Sequence, residues 1–300
     1  MVEQGPIAHS YAELGRLRLH YVEAGAGPLV VLLHGFPEYW YSWRHQLPAL
    51  AAAGYHVVAP DMRGYNLSSK PRRLRAYDVD DLARDVAALV RHCGAARAAA
   101  LVGHDWGAGV AWVCAMRYPR LTERLVILNV PHPVRMLEGL RTARQLRKSW
   151  YIFLFQLPWL PEALFRARDY AMIRDVFHRD PLRPGAFTQA DVKRYVEAMA
   201  RPGALTGAIN YYRAFVRKGL REGTRTIRPI DLPTLVIWGE QDRYLGPELA
   251  APPRRWVPHA RVERLLDASH FVQNDRPERV NTLLLDFLRA QPDAAAGPAI

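Results

Sequence analysis

Residues Gly103-His104-Asp105-Trp106-Gly107 follow an apolar run, Ala98 to Val102, and open a helix-like stretch that begins at Trp106. A glycine on each side of one reactive side chain, between a strand and a helix, is the pattern of a nucleophile elbow. In that strained turn the side chain stands exposed above a parallel sheet. Here the reactive residue is an aspartate, which narrows the chemistry. A carboxylate is a poor acyl-transfer nucleophile, because the mixed anhydride it would form is no easier to reach than the product. It can displace a leaving group from saturated carbon and form an ester. Water must then hydrolyse that ester, so the chain is expected to carry a base and an oxyanion hole as well.

The rest of the chain reads as the α/β frame this turn demands. Strand-like segments at Leu17–Tyr21, Leu29–Leu33, His56–Pro60, Ala98–Val102, Leu125–Asn129, Leu235–Trp238 and Val262–Leu265 alternate with helical periodicity, as in Val79–Cys93 and Ala108–Arg117. This predicts a mostly parallel central sheet covered by helices. Strand signals stop between Asn129 and Leu232, where amphipathic patterns, aromatics and Pro158, Pro161, Pro181, Pro184 and Pro202 predict an inserted helical lid. The expected division is a core in two parts, 1–133 and 231–290, a lid over 134–230, and a disordered tail over 291–300.

At 300 residues and 50% hydrophobic, the chain can bury a large core. Its charge of +12 is spread along the length, with a cluster at Arg141, Arg144, Arg147 and Lys148. That cluster reads as a solvated helix face in preference to a nucleic-acid or anionic-membrane site, since no basic-aromatic interleaving or nucleic-acid motif accompanies it. Cys93 and Cys114 give neither a disulfide framework nor metal spacing. With no signal pattern in Met1 to Tyr21 and no apolar run of spanning length, the expectation is a soluble cytoplasmic protein without an integral membrane anchor.

Two further loops at strand ends supply the partners. Asp242 lies in Trp238-Gly239-Glu240-Gln241-Asp242 and His270 in Ala268-Ser269-His270-Phe271. Taken singly, a loop Asp is a turn residue and a lone His is structural. In the order nucleophile, acid, histidine, each after a strand, they read as a base, His270, oriented by Asp242. His34-Gly35-Phe36-Pro37 follows Leu29–Leu33, so the backbone N–H of Phe36, with that of Trp106, is expected to form the oxyanion hole. The alternative is an ordinary strand-ending turn.

With these pieces the chain resembles the epoxide hydrolases of the α/β-hydrolase superfamily along nearly its whole length. The matching segments are His34-Gly35-Phe36-Pro37-Glu38, Asp61-Met62-Arg63-Gly64-Tyr65, the Asp105 elbow, Asn129-Val130-Pro131-His132-Pro133, the Asp242 loop and His270. Most are shared with haloalkane dehalogenases, and the lid separates the two. The run Tyr151 to Glu162 and Asn210-Tyr211-Tyr212-Arg213 resemble lid segments that each carry a catalytic tyrosine, which implies Tyr151 and Tyr212, with Tyr211 left open as the substitute. The physics agrees with two phenols: an epoxide oxygen leaves as an alkoxide, which an acid of pKa about 10 can assist, whereas a halide needs no proton. Phe36 stands where a halide-binding Asn would be expected, and Asn66 replaces a glycine in the Asp61 segment, where it can still adopt left-handed angles.

The resemblance implies hydrolysis of an epoxide to a vicinal diol through an Asp105 ester, with no metal and no cofactor. Phe36, Trp106, Tyr151, Phe153 and Tyr212 are the expected substrate-binding residues. Tyr39, Trp40, Trp43 and Trp159 are further candidates for an aromatic wall, which suits a small hydrophobic epoxide. Two rival readings remain: a haloalkane dehalogenase, and a catalytically silent small-molecule receptor, for which an intact Asp105, Asp242 and His270 set would have no use. Monomer and homodimer are both open.

Overall fold

The computed structural model describes residues 7–223 and 225–290. The tail expected to be disordered, 291–300, lies outside the described residues. Eight strands, β1 (Ala8–Leu14), β2 (Leu17–Ala24), β3 (Leu29–Leu33), β4 (His56–Pro60), β5 (Ala100–His104), β6 (Leu125–Leu128), β7 (Thr234–Gly239) and β8 (Ala260–Leu265), form one sheet in the order β1-β2-β4-β3-β5-β6-β7-β8. β1 and β2 are antiparallel to their neighbours, and β3 to β8 pair in parallel. The central strands β3, β5, β6 and β7 are buried along their whole length, which is why they read as continuous apolar runs. β1 gave no such signal. Its AHSYAEL sequence sits on the sheet edge, largely exposed, and is joined to β2 by a tight turn at Gly15 with φ 67.

Helices α1 (Gln46–Ala52), α2 (Val79–His92) and α3 (Trp106–Arg117) follow the early strands, and α10 (Val272–Asp275) and α11 (Pro277–Arg289) close the chain. α2 begins where the Asp78 carboxylate accepts the Asp80 N–H at 3.0 Å, with Asp80 and Asp81 in its positive first turn. One apolar cluster covers each face of the sheet. Leu33, Leu101 and Ile127 face α2, α3 and the inserted helices, while Val30, Val102 and Leu128 face α1 and α11.

Between β6 and β7 lie α4 (Pro133–Gly139), α5 (Ala143–Lys148), α6 (Trp150–Leu154), α7 (Leu160–Arg179), α8 (Gln189–Ala200) and α9 (Ala204–Glu222). α7 is broken at Ala167–Tyr170, where Arg168, Asp169 and Tyr170 have positive φ. This insert is tied to the sheet's carboxyl end by polar contacts: Tyr41 donates to Asp191 at 2.8 Å, Arg44 to the Ala186 carbonyl at 2.6 Å, and Lys148 to the Asp242 carbonyl at 2.5 Å. Arg201 donates to Asn66 at 2.8 Å, and Asn66 has φ 34, the left-handed backbone that its sequence context requires.

Candidate active site

β5 delivers Asp105 into a turn with φ 48 and ψ −124, a conformation that costs an ordinary residue about 1–3 kcal/mol. The flanking glycines are what let this turn sit so close to its neighbours. A Cβ on Gly103 would lie 2.6 Å from the Ala108 backbone, and one on Gly107 would lie 2.1 Å from the Leu33 carbonyl oxygen. Gly35 has the same role from the opposite side, since a Cβ there would stand 2.3 Å from Asp105 Cβ. The loop after β3 can therefore close over the carboxylate, and the Phe36 N–H donates to Asp105 Oδ1 at 2.8 Å. Trp106, the first residue of α3, contributes one of the N–H groups that a helix start leaves without intrahelical partners.

His270, from the loop after β8, sits between two carboxylates. Its Nε2 is 3.6 Å from Asp105 Oδ2, and its Nδ1 is 2.8 Å from Asp242 Oδ2. Asp242 is saturated with donors: the N–H groups of Tyr244 at 2.6 Å and Leu245 at 2.9 Å, and the Asn129 amide at 2.8 Å. Burial opposes the Asp242 charge, but His270, Asn129 and the Leu245 N–H outweigh it and hold the carboxyl below its ordinary range. Burial likewise opposes charge on Asp105, and His270, His104 and the Phe36 N–H reverse it, so that carboxyl is also lowered. Burial works against the His270 cation as well, yet the flanking Asp242 and Asp105 raise its pKa well above the ordinary imidazole value. The resting state therefore favours an imidazolium between two carboxylates.

A second layer of polar groups was not read from the sequence. Glu38, fully buried, accepts the Gly35 N–H at 3.2 Å and bonds to His104 Nδ1 at 2.7 Å and to the Ser42 hydroxyl. His104 Nε2 meets the His270 carbonyl oxygen at 2.9 Å. One buried chain thus links the loop after β3, the end of β5 and the His270 loop. Asn129 does the same for the acid loop, accepting the Gly239 N–H at 2.9 Å while it donates to Asp242. Glu38 and Asn129 both lie inside matching sequence segments, but nothing in those segments says where their side chains point.

Asp105 opens onto an apolar cavity of about 190 Å³ between α3, α9 and the segment after β6, walled by Trp106, Val113, Met136, Tyr151, Tyr212 and Phe215 among others. The Tyr212 ring packs edge-on against Trp106 at 4.9 Å and Tyr151 at 5.8 Å. Neither phenol O–H has a protein acceptor among the described residues. Burial raises both phenol pKa values, and the Asp105 charge adds to the shift. Tyr211 is different. Its hydroxyl donates to the Arg63 carbonyl at 2.7 Å, its ring packs on Tyr65 and Tyr77, and it does not line the cavity. Of the two adjacent tyrosines, Tyr212 and not Tyr211 lines the cavity onto which Asp105 opens.

Several expected wall residues are elsewhere. Phe153 is 57% exposed and lies outside the cavity lining, because α6 turns Tyr151 and Ile152 inward and Trp150 and Phe153 outward. Trp159 is 72% exposed, whereas Trp43 and Tyr39 are buried in the hydrophobic core and do not line the cavity. Phe36 contributes its N–H to Asp105, and its ring packs against Phe155, Phe165 and Tyr212 without lining the cavity. No group of three or more His, Cys, Asp or Glu side chains among the described residues is arranged to hold a metal ion.

Asp105 after β5, Asp242 after β7 and His270 after β8, at the carboxyl end of a mostly parallel sheet, have the arrangement of an α/β-hydrolase, and the family model of the alpha/beta hydrolase fold matches residues 28–277. An AB hydrolase superfamily protein of Bacillus subtilis is 41% identical, covering 92% of this chain and 96% of its own length. Epoxide hydrolase 4 of Homo sapiens is 38% identical over 94% of this chain and 79% of its own. Among solved structures, epoxide hydrolase A of Mycobacterium thermoresistibile superposes with a TM-score of 0.84 at 35% identity, covering 95% of this chain and 98% of that one. Bacillus megaterium epoxide hydrolase with an inhibitor gives 0.83 at 32%, covering 94% and 100%. The chain belongs to the α/β-hydrolase fold family, in its epoxide hydrolase branch.

Proposed function

We propose that this protein opens an apolar epoxide with water to give a vicinal diol, using Asp105 as nucleophile. The observation that carries this reading is that Tyr151 and Tyr212, whose hydroxyls have no protein acceptor among the described residues, line the cavity onto which Asp105 opens. In the first step Asp105 attacks an oxirane carbon, the carbon–oxygen bond breaks, and the departing oxygen takes a proton from a phenol. Burial makes these phenols weaker acids in the resting site, which matters least where they donate to an alkoxide, a much stronger base.

Esterification removes the Asp105 charge, one of the two that hold His270 protonated. His270 then passes its proton to the phenolate, which closes the first half-reaction, and the neutral imidazole can take one from water. Water attacks the ester carbonyl carbon while the Phe36 N–H, with that of Trp106, receives the developing oxyanion. The ester C–O bond breaks, the diol oxygen takes the proton from His270, and the proton left on the regenerated Asp105 acid passes to His270, which restores the imidazolium between two carboxylates. Asp242 holds the imidazole through Nδ1 throughout. A haloalkane dehalogenase would leave the two phenols without work, since a halide leaves unprotonated.

Every group in this scheme comes from one chain, so a monomer suffices for activity. The helical segment 134–230 acts as the lid that carries the phenols. Cys93 and Cys114 are both free, which is in keeping with a reducing cytoplasm, and no helix among the described residues is long and apolar enough to cross a membrane.

The test is to mix His270→Gln with styrene oxide and examine the peptide containing Asp105 by mass spectrometry. An adduct of the epoxide's mass is expected to accumulate there, and Asp105→Asn is expected to give neither adduct nor diol. An unmodified Asp105 peptide, with no diol from the wild type, would refute the scheme.

A further inference from the structure

Six of the eleven large apolar side chains exposed among the described residues fall within residues 146–164: Leu146, Trp150, Phe153, Leu157, Trp159 and Leu164. Leu146, Trp150 and Phe153 are spaced i, i+4, i+7 across α5 and α6, with Ser149 between them near helical angles at φ −95 and ψ 13. They form one ridge, and Leu157 and Trp159, 45% and 72% exposed, continue it into the turn before α7. Isolated exposed apolar residues need no explanation, but a run of this density marks a contact surface.

The chain segment that carries the ridge is strongly basic. From Gly139 to Arg168 the only acidic residue is Glu162, which is buried and paired with Arg213 at 2.7 Å. Arg141, Arg147, Arg166 and Arg168 are exposed and have no acidic partner among the described residues, while Arg144 reaches Glu248 at 3.5 Å. The cluster reads in the sequence as a solvated helix face. Joined to an exposed tryptophan-and-leucine ridge, it has the chemistry of a surface that settles on anionic lipid: aromatic and aliphatic groups enter the headgroup boundary and guanidinium groups stay among the phosphates.

We infer that the outer face of α5, α6 and the following turn docks this protein on an anionic phospholipid surface through Leu146, Trp150, Phe153, Leu157 and Trp159, rimmed by Arg141, Arg147, Arg166 and Arg168. A second copy of the chain is the poorer occupant. A two-fold contact would press the same arginine-rich patch against itself, and the exposed carboxylates beside it, Glu248 and Asp169, are already paired within the chain, with Arg144 and Arg174. The position has a functional consequence: α6 carries Tyr151 and Ile152 on its inner face, so a docked protein holds the roof of its cavity against the lipid, where apolar epoxides concentrate.

The experiment is co-sedimentation of the whole protein with vesicles of phosphatidylcholine alone and of phosphatidylcholine mixed with phosphatidylglycerol, at low and physiological salt. Binding to the mixed vesicles is expected, at least about tenfold stronger than to the neutral ones, and weakened by salt. Arg147→Glu, which replaces an attractive charge with a repulsive one, is expected to weaken it at least about fivefold. Trp159→Ser, at a position too exposed to disturb the fold, should also release the protein from the mixed vesicles while leaving hydrolysis of a water-soluble epoxide unchanged. No binding at low salt overturns the inference. Vesicle binding that neither variant alters overturns it too, because another basic face would then be responsible. So does a dimer in solution that the two variants dissociate, since the patch would then join two copies.

Discussion

Adjacent tyrosines on α9 allow a crossed test, because removing one hydroxyl should harm catalysis and removing the other should harm the fold. Tyr212→Phe keeps the ring contacts to Trp106, Phe36 and Phe155 and deletes an O–H that has no protein acceptor among the described residues. Stability is therefore expected to stay within about 0.5 kcal/mol of wild type. Its hydrogen bond to the departing epoxide oxygen, a charged acceptor, is worth about 1.5–3 kcal/mol, so the alkylation rate should fall by about 10- to 150-fold. Tyr151 remains to share the load, which keeps the loss from being total. Tyr211→Phe instead strands the buried Arg63 carbonyl, at a cost of about 1–3 kcal/mol, and should lower the melting temperature by several degrees with little change in rate. Single-turnover diol formation measures the first quantity and thermal melting the second. If Tyr211→Phe slowed alkylation as much as Tyr212→Phe, or Tyr212→Phe left it unchanged, the assignment of the phenols would be wrong.

Other perturbations probe the frame around the site. Gly35→Ala drives a methyl group into the root of the Asp105 side chain and should displace the Phe36 N–H, costing about 100- to 1000-fold in kcat; near-normal turnover would show that this donor is dispensable. Asp85→Ala leaves the Arg63 guanidinium, which Asp85 grips at 2.5 and 2.7 Å, buried without its counter-charge, and urea unfolding should report a loss of about 3–5 kcal/mol. Stability should also follow pH with two signs. Asp105 and Asp242, lowered below the ordinary 3.8, contribute fully above that pH and less as it falls through their folded values. His270, raised above 6.5, contributes fully below that pH and less as it rises through its folded value. The melting-temperature gap between wild type and His270→Gln is thus expected to be widest between these two limits, and a gap that keeps widening on the alkaline side would contradict the charge arrangement.

The parts of this molecule legible in its sequence are those whose residue type is forced by one local demand. Asp105 between two glycines is such a case, as are the continuous apolar runs of β3, β6 and β7. Where several orientations satisfy the same composition, the sequence is silent. In Trp150-Tyr151-Ile152-Phe153 all four side chains are apolar or aromatic, and only packing decides that the middle two face the cavity and the outer two face solvent. Glu38 and His104 were hidden for another reason: their partners lie far away in sequence, at Gln273 and His270. β1 was missed because an exposed edge strand needs no hydrophobic alternation.

The buried chain from Glu38 through His104 to the His270 carbonyl has a kinetic consequence. It clamps the Phe36 loop, the Asp105 strand and the base loop to one another, all within the sheet-bearing part of the fold, whereas Tyr151 and Tyr212 ride on the insert. In the proposed scheme, bond-breaking at the oxirane requires the phenols of the insert, whereas attack of water on the ester uses groups of the sheet-bearing part alone. Solvent viscosity or a cross-link that slows movement of the insert should therefore act on the first half-reaction alone, and the share of enzyme held as ester during steady turnover becomes a gauge of that movement.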